Sequence, residues 1–235
     1  MLNQLSTLRF THDNGIYFIE IKGENANKMS LKFLGEFSKI VSHITNKEDV
    51  KGIILTGHGR HFSSGSDISE LLNIIVTESE IRGCDVKKVP KLHNDFKKSL
   101  ETIQGISVPV VASITGFCIG SGFEIALSAH IKICEKGARL GLPESTFGLM
   151  PGVNGSINIA KKLGIMNSFE FIIKGSLYNE KEVYELELID DVVTKKSSLR
   201  LAIEFVNYVY ENNVAYCNKN STKIYREFIS HRYKG

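Results

Sequence analysis

Short apolar runs that alternate with helix-like stretches constrain the fold of this chain more than any other feature. Residues 52–57 and 109–116 are largely aliphatic runs bounded by glycine or proline, and residues 131–134 form a weaker third run. Strands that are apolar on both faces are typical of a parallel sheet covered on both sides. Residues 92–106 and 122–129, which follow the first two runs, have helical spacing. The alternation predicts an α/β fold with a largely parallel sheet and crossover helices.

A β-hairpin is predicted before this alternation. Strand-like runs at residues 8–12 and 16–21 flank the pair Asn14-Gly15, which favours a tight turn. The last third of the chain, from Asn154, is predicted to be mostly helical. No linker rich in proline, glycine or serine divides the sequence, so we expect one domain with a helical C-terminal region.

Composition excludes several classes of protein. The 235 residues are 42% hydrophobic and 23% charged with a net charge of +3, which is ordinary for a soluble protein. The basic residues are too scattered for a nucleic-acid surface. No segment has the length or apolarity of a signal peptide or a membrane span. The four cysteines form no C-x-x-C pair, so we expect a cytoplasmic protein with neither disulfides nor a metal site.

Two glycine-bearing turns are the candidate chemical features. They occupy residues 59–68 and 116–124, and each follows a predicted buried strand and opens a helix. Small residues let a ligand approach the backbone closely. A helix start also offers free N–H groups and a partial positive charge. Two such turns side by side would form an oxyanion hole made of backbone donors.

Three ordered motifs carry a resemblance to a known family. Residues 64–68, Ser-Gly-Ser-Asp-Ile, resemble its Ala-Gly-Ala-Asp-Ile motif. Residues 116–126 resemble its Asn-Gly-x-x-x-Gly-Gly-Gly-x-Glu-Leu-Ala motif, and residues 140–152 resemble its Phe-x-x-Pro-Glu-x-x-x-Gly-x-x-Pro-Gly motif. Residues 8–195 are similar to the enoyl-CoA hydratase/isomerase (crotonase) superfamily. The resemblance implies a spiral of ββα units with a helical C-terminal region.

The resemblance implies four catalytic residues. The oxyanion donors of the family fall on the N–H groups of Ser66 and Ser121, and its two carboxylates fall on Glu124 and Glu144. A carboxylate among apolar helix neighbours, as at Glu124, is costly to bury without a partner or a function. Two carboxylates in one desolvated site can separate their pKa values and divide acid and base roles.

Coenzyme A contacts are expected on two segments. Residues 24–30 resemble the family's loop that packs against coenzyme A, with Lys28 as the candidate neighbour of a phosphate or of adenine. An equally good interpretation of Lys28 is a solvated lysine before a helix. The candidate binding residues are Ala26, Lys28, Ser64, Asp67 and Ile68.

The expected reaction is syn addition of water to a 2-enoyl thioester, or the reverse dehydration. The carrier is coenzyme A or an acyl-carrier protein, in fatty acid metabolism or polyketide biosynthesis. Coenzyme A would be part of the substrate, and no metal or redox cofactor is implied. Two alternatives remain open: a double-bond isomerase, which needs the same oxyanion hole and one carboxylate, and a non-catalytic protein that binds acyl thioesters.

The chain departs from the family pattern at several positions. Ser66 and Ser121 stand where alanine and glycine are usual, and we expect serine at position 121 to tolerate a positive φ less well than glycine. Asn154 replaces a glycine, and Asn158 stands where an arginine is common. These changes predict a cavity shaped for an unusual acyl group.

The predicted organisation is a core of residues 1–195 and a helical C-terminal segment of residues 196–235, shorter than in most members. The polar residues 73–90 are predicted to form a lid over the acyl site. Relatives form trimers through the C-terminal region, so we expect a homotrimer or a dimer of trimers. The apolar residues that a single subunit is not expected to cover are Leu199, Ile203, Phe205, Val206, Val209 and Tyr210.

Overall fold

The computed structural model describes residues 5–70 and 91–232 of the chain. Strands alternate with helices up to Gly155, after which helices prevail, and the helix that begins there is kinked at Gly164. The strands of the described residues are β1 (Leu8–Asp13), β2 (Ile16–Ile21), β3 (Gly52–Gly57), β4 (Val110–Ile114), β5 (Phe117–Ile119), β6 (Ile131–Glu135), β7 (Arg139–Gly141), β8 (Tyr178–Asn179) and β9 (Asp191–Val193). The helices with assigned bounds are α1 (Glu24–Asn27), α2 (Leu31–Ile44), α3 (Lys91–Gly105), α4 (Ser121–Ser128), α5 (Gly155–Lys174), α6 (Glu180–Glu185), α7 (Ser198–Glu211) and α8 (Ser221–Arg232).

A six-stranded sheet organises the fold, in the order β1-β2-β3-β4-β6-β9, and β5, β7 and β8 form a smaller sheet. β1 pairs antiparallel with β2, and the remaining neighbours of the larger sheet pair in parallel. The predicted hairpin and parallel sheet are therefore confirmed. The hairpin turn has φ of 48° at Asn14 and 81° at Gly15, the conformation that a two-residue turn requires. The sequence interpretation missed the short strands β5, β7, β8 and β9, because two or three residues are too few to show a period.

The larger sheet has an apolar core on each face, because successive residues of a strand point to opposite sides. In β3, Ile53 and Leu55 pack into one core with Phe37 of α2 and Phe123 of α4. Ile54 lies between them in sequence and packs into the second core. The apolar residues of β3 thus contact two layers of helices, one on each side of the sheet.

The second core contains the C-terminal helices α7 and α8. Phe205, Val206 and Val209 are buried there against this chain's own sheet, while Leu199 and Tyr210 remain exposed. The expectation that one subunit cannot cover this apolar face is wrong for its three buried members. The second face of the sheet is apolar as well, and α7 fills it.

No helix in residues 5–70 and 91–232 is long and apolar enough to cross a membrane. The predicted lid, residues 73–90, lies outside the described residues.

Candidate active site

Two loops meet beyond the carboxyl ends of β3 and β4. The first follows β3, and the second joins β5 to α4. Backbone hydrogen bonds tie them together: the Ser63 N–H donates to Phe117 O at 2.8 Å, and the Ile119 N–H donates to Ser63 O at 3.0 Å. This pairing brings together Ser66 and Ser121, which are 55 positions apart in sequence.

Glycines allow the close approach of the loops at two bends. Gly65 has φ of 92°, and a Cβ there would lie 2.9 Å from Ile119 O. Gly120 has φ of 55°, and a Cβ there would lie 3.0 Å from Glu144 Oε1. The left-handed conformation therefore falls on Gly120, and Ser121 has no positive φ. The tolerance of Ser121 for a positive φ is therefore not called upon, because the residue before it makes the bend.

Ser66 and Ser121 present both backbone N–H groups and hydroxyl groups at one place. Their Oγ atoms lie 2.7 Å apart and form a hydrogen bond. Among the described residues, neither N–H has a hydrogen-bond acceptor. Ser121 is the first residue of α4, where the N–H groups have no intrahelical partner and carry a partial positive charge. Two unpaired N–H donors can bind a developing oxyanion.

A cavity of about 100 Å³ lies against these donors. Its lining contains both polar and apolar side chains. The lining includes Ser66, Ile68, His93, Ser121, Glu144 and Phe147. Depressions of about 530 and 520 Å³ lie along α8, but in the described part of the chain they contain none of the predicted site residues.

Glu144 brings a carboxyl group to this cavity. It lies in a 3-10 helix, Pro143–Phe147, and Pro143 at the start of that helix fixes its backbone. Burial, together with the negative charge of Glu124, raises the pKa of Glu144 to about 7. Its Oε2 atom is buried and has no hydrogen-bond partner in the described residues. A carboxyl group with a pKa near neutrality can act as an acid or a base.

Glu124 occupies a different position from Glu144. Its side chain on α4 is 0% exposed, and its Oε1 accepts the N–H groups of Val153 at 3.0 Å and Gly155 at 2.8 Å. Burial raises the pKa of Glu124, and the donated N–H groups oppose that rise. Its Oε2 is buried without a partner among the described residues. One carboxylate oxygen thus anchors the loop before α5 by hydrogen bonds, and the other has no hydrogen-bond partner among the described residues.

The candidate coenzyme A residues form one cluster beside the first loop. Lys28 Nζ lies 2.6 Å from Asp67 Oδ2, and this hydrogen bond lowers the pKa of Asp67. The Ser64 N–H donates to Ala26 O at 2.9 Å, and Ile68 lines the cavity. If Lys28 bound a phosphate, the ammonium group of Lys28 would have to interact with both the phosphate and Asp67.

His93 is a cavity residue that the sequence interpretation missed. It lies on α3, and its Cε1 and Nε2 atoms are 3.3 Å from the position of a Cβ at Gly152. Burial lowers the pKa of His93, and the charge of Lys97 lowers it further. The helical period was the available signal, because His93 shares a face with the buried Phe96 and Leu100.

The fold and this geometry define a class of protein. Two unpaired N–H donors and a desolvated carboxyl group around one cavity can stabilise an enolate-like oxyanion while a proton moves. The profile of the enoyl-CoA hydratase/isomerase family matches residues 11–228. The chain belongs to this family.

Curated relatives agree with this assignment. The fatty acid oxidation complex subunit alpha of Shewanella loihica is 32% identical over 197 residues, which cover 82% of this chain and 27% of that protein. The corresponding subunit of Shewanella amazonensis is 31% identical over 197 residues, which cover 82% of this chain and 27% of that protein. The chain therefore spans about a quarter of the length of these relatives.

Solved structures confirm the predicted crotonase-type fold. DspI of Pseudomonas aeruginosa has a TM-score of 0.77 at 21% identity, covering 94% of this chain and 86% of that one. An enoyl-CoA hydratase from Bacillus anthracis has a TM-score of 0.75 at 22% identity, covering 96% of this chain and 90% of that one.

Proposed function

We propose that this protein binds a 2-enoyl-CoA thioester and adds water across its double bond, or removes water in the reverse direction. The main support is the position of Glu144, which lines the same small cavity as Ser66 and Ser121. An oxyanion site and a proton-transfer group on one cavity are what enolate chemistry requires.

In the proposed reaction, the N–H groups of Ser66 and Ser121 bind the thioester oxygen. Negative charge develops on that oxygen as the enolate forms, so the two hydrogen bonds strengthen in the transition state. Losing one such donor typically lowers a rate by about 10²–10³. Because both donors belong to the backbone, replacement of either side chain leaves them in place.

The two glutamates would hold the water of the reaction between them. Glu124 and Glu144 each have one buried oxygen without a partner in the described residues, and the charge of Glu124 affects the pKa of Glu144. Water oxygen adds to Cβ, Glu124 takes a proton from the water, and Glu144 delivers a proton to Cα. The raised pKa of Glu144 supports its assignment as the acid at Cα.

A double-bond isomerase is the second candidate. The supporting observation is that Glu124 Oε1 already accepts two N–H groups, from Val153 and Gly155. If this arrangement removes Glu124 from proton transfer, Glu144 alone can move a proton between Cα and Cγ of the same substrate. Isomerisation needs no activated water, so one carboxylate suffices.

In both reactions coenzyme A enters as part of the substrate, and no step calls for a metal or redox cofactor. A carrier-protein thioester is the other substrate to test. The decisive assay follows the ultraviolet absorbance of the enoyl thioester, with crotonyl-CoA and a crotonyl carrier protein compared side by side. We expect the band to be lost with crotonyl-CoA. Unchanged absorbance with both substrates would contradict the hydratase proposal.

We also propose that the protein forms a homotrimer or a dimer of trimers through α5. Ile165 is 80%, Met166 78% and Phe169 60% exposed. Ile173 is also exposed and lies four residues after Phe169, so it extends the apolar face of the part of α5 that follows the kink at Gly164. An exposed apolar face of this kind marks an interaction surface, and a second copy of the chain is the proposed occupant.

Light scattering at micromolar concentration tests this assembly. We expect Phe169→Glu to dissociate the oligomer, because it would bury a charge in an apolar interface. Tyr210→Glu is the matched control, since Tyr210 is exposed on α7 and belongs to the region first expected to assemble. A monomeric parent protein would refute the assembly, and dissociation by Tyr210→Glu alone would move the interface to α7.

A further inference from the structure

The hydroxyl groups of Ser66 and Ser121 stand where the family pattern has alanine and glycine, which carry none. They contact each other at 2.7 Å, beside two backbone N–H groups that have no acceptor in the described residues. We propose that this serine pair adds an O–H donor to the oxyanion hole, so that three groups rather than two bind the thioester oxygen. The inference rests on the proposed function, since it assigns a role within the same site.

The count of hydrogens supports a third donor. The pair has two hydroxyl hydrogens, and its own hydrogen bond uses only one of them. Either Oγ can be the donor. In both arrangements one O–H remains, and the structure gives it no other acceptor among the described residues. The thioester oxygen bound at the adjacent N–H groups is the nearest chemical candidate.

The pair is also fixed in place before the substrate arrives. The backbone of Ser66 is anchored by its neighbours, since the Met29 N–H donates to Gly65 O and the Asp67 N–H donates to Met29 O, both at 2.9 Å. Ser121 begins α4. Donors that are oriented in advance need no rearrangement when charge develops, which is the condition for large electrostatic stabilisation.

A hydroxyl donor suits this cavity physically. A hydrogen bond from O–H to an anionic oxygen is short and about twice as strong as one between neutral groups. Because the hydroxyl is neutral, its burial does not carry the desolvation cost of a charged donor. The pair would therefore act mainly on the transition state and little on binding of the substrate.

The opposite hypothesis, that the two hydroxyls hinder the reaction, makes an equally specific prediction. If the hydroxyls instead occupy the position of the thioester oxygen, their removal should open the hole and raise the rate. The double variant Ser66→Ala/Ser121→Ala separates the two cases, because each single variant leaves one hydroxyl that can take over as donor. Ser38→Ala is the control, since its hydroxyl donates to Leu34 O within α2 at 2.9 Å.

Two measurements on the whole protein test the pair. With crotonyl-CoA, we expect the double variant to lose about ten- to hundredfold in kcat with KM changed by less than about threefold. With bound 4-(dimethylamino)cinnamoyl-CoA, whose absorption moves to longer wavelength as its carbonyl is polarised, we expect a smaller red shift than in the parent. Circular dichroism checks that each variant is folded.

The outcomes separate this inference from the proposed function. An equal red shift and an equal or higher kcat in the double variant would overturn the third donor and leave the hydratase proposal standing. A parent protein that fails to bind the chromophore, or binds it without any red shift, would overturn both. A reduced red shift in the double variant of a parent that does not hydrate crotonyl-CoA supports the donor and rejects only the hydration step.

Discussion

Glu144→Gln should lower the rate of crotonyl-CoA hydration by about 10³-fold, within the range for loss of a positioned acid or base. Glutamine keeps the volume of the side chain but cannot deliver a proton to Cα. The assay combines the loss of enoyl absorbance with deuterium uptake at Cα from heavy water. Both signals should fall together, because both depend on the same proton transfer.

Glu170→Gln is the control for this substitution. Glu170 lies on α5 with an exposed side chain that pairs with Lys174, so its replacement should leave the rate unchanged. Parental hydration by Glu144→Gln would remove Glu144 from the mechanism and return the cavity to a binding role.

The carboxyl group of Glu144 also predicts how the rate of hydration depends on pH. The pKa of Glu144 is raised to about 7 by burial and by the charge of Glu124. If Glu144 acts as the acid at Cα, kcat/KM for hydration should fall as the pH rises through about 7. In Glu144→Gln, the residual activity should not follow this profile.

The stability of Glu144→Gln should change with pH in a defined direction. The folded-state pKa of Glu144 lies above its ordinary value of 4.5, so the parent protein loses stability as the pH rises from that value through about 7. Glutamine mimics the protonated form and avoids this loss. Near pH 8, urea unfolding should show the variant more stable by about 2 kcal/mol, after allowance for partial exposure, and the gain should shrink near pH 5.

Glu124→Gln should lower the rate of hydration by about 10²-fold or more, while deuterium exchange at Cα of a saturated acyl-CoA persists. The glutamine carbonyl oxygen can still accept the N–H groups of Val153 and Gly155, which Oε1 of Glu124 accepts in the parent. The new amide group, however, cannot take a proton from water. Loss of hydration with retained exchange would therefore reflect chemistry and not a displaced loop.

Unfolding by heat provides the control for Glu124→Gln, since an unchanged midpoint shows that the loop before α5 keeps its anchor. If the variant hydrates crotonyl-CoA at the parental rate, the two-carboxylate mechanism is wrong. The isomerase, in which Glu144 acts alone, then becomes the better proposal.

The sequence by itself determined the layered architecture and the family. β3 was predictable because an apolar run between glycines is a local signal, and the hairpin was predictable because Asn14-Gly15 favours one turn type. The serine at the start of α4 and both glutamates were identified from motifs that are contiguous in sequence. Each of these signals involves neighbours within about ten residues, where propensity and period act.

Tertiary structure alone decided how those residues meet. The hydroxyl contact of Ser66 and Ser121 depends on two loops paired by backbone hydrogen bonds. The direction of the Glu124 carboxylate depends on N–H groups of the loop before α5. Burial of Phe205 depends on the second face of the sheet, against which α7 packs. Such contacts join residues far apart in sequence, so no local pattern encodes them, and only the packed chain fixes their distances and pKa values.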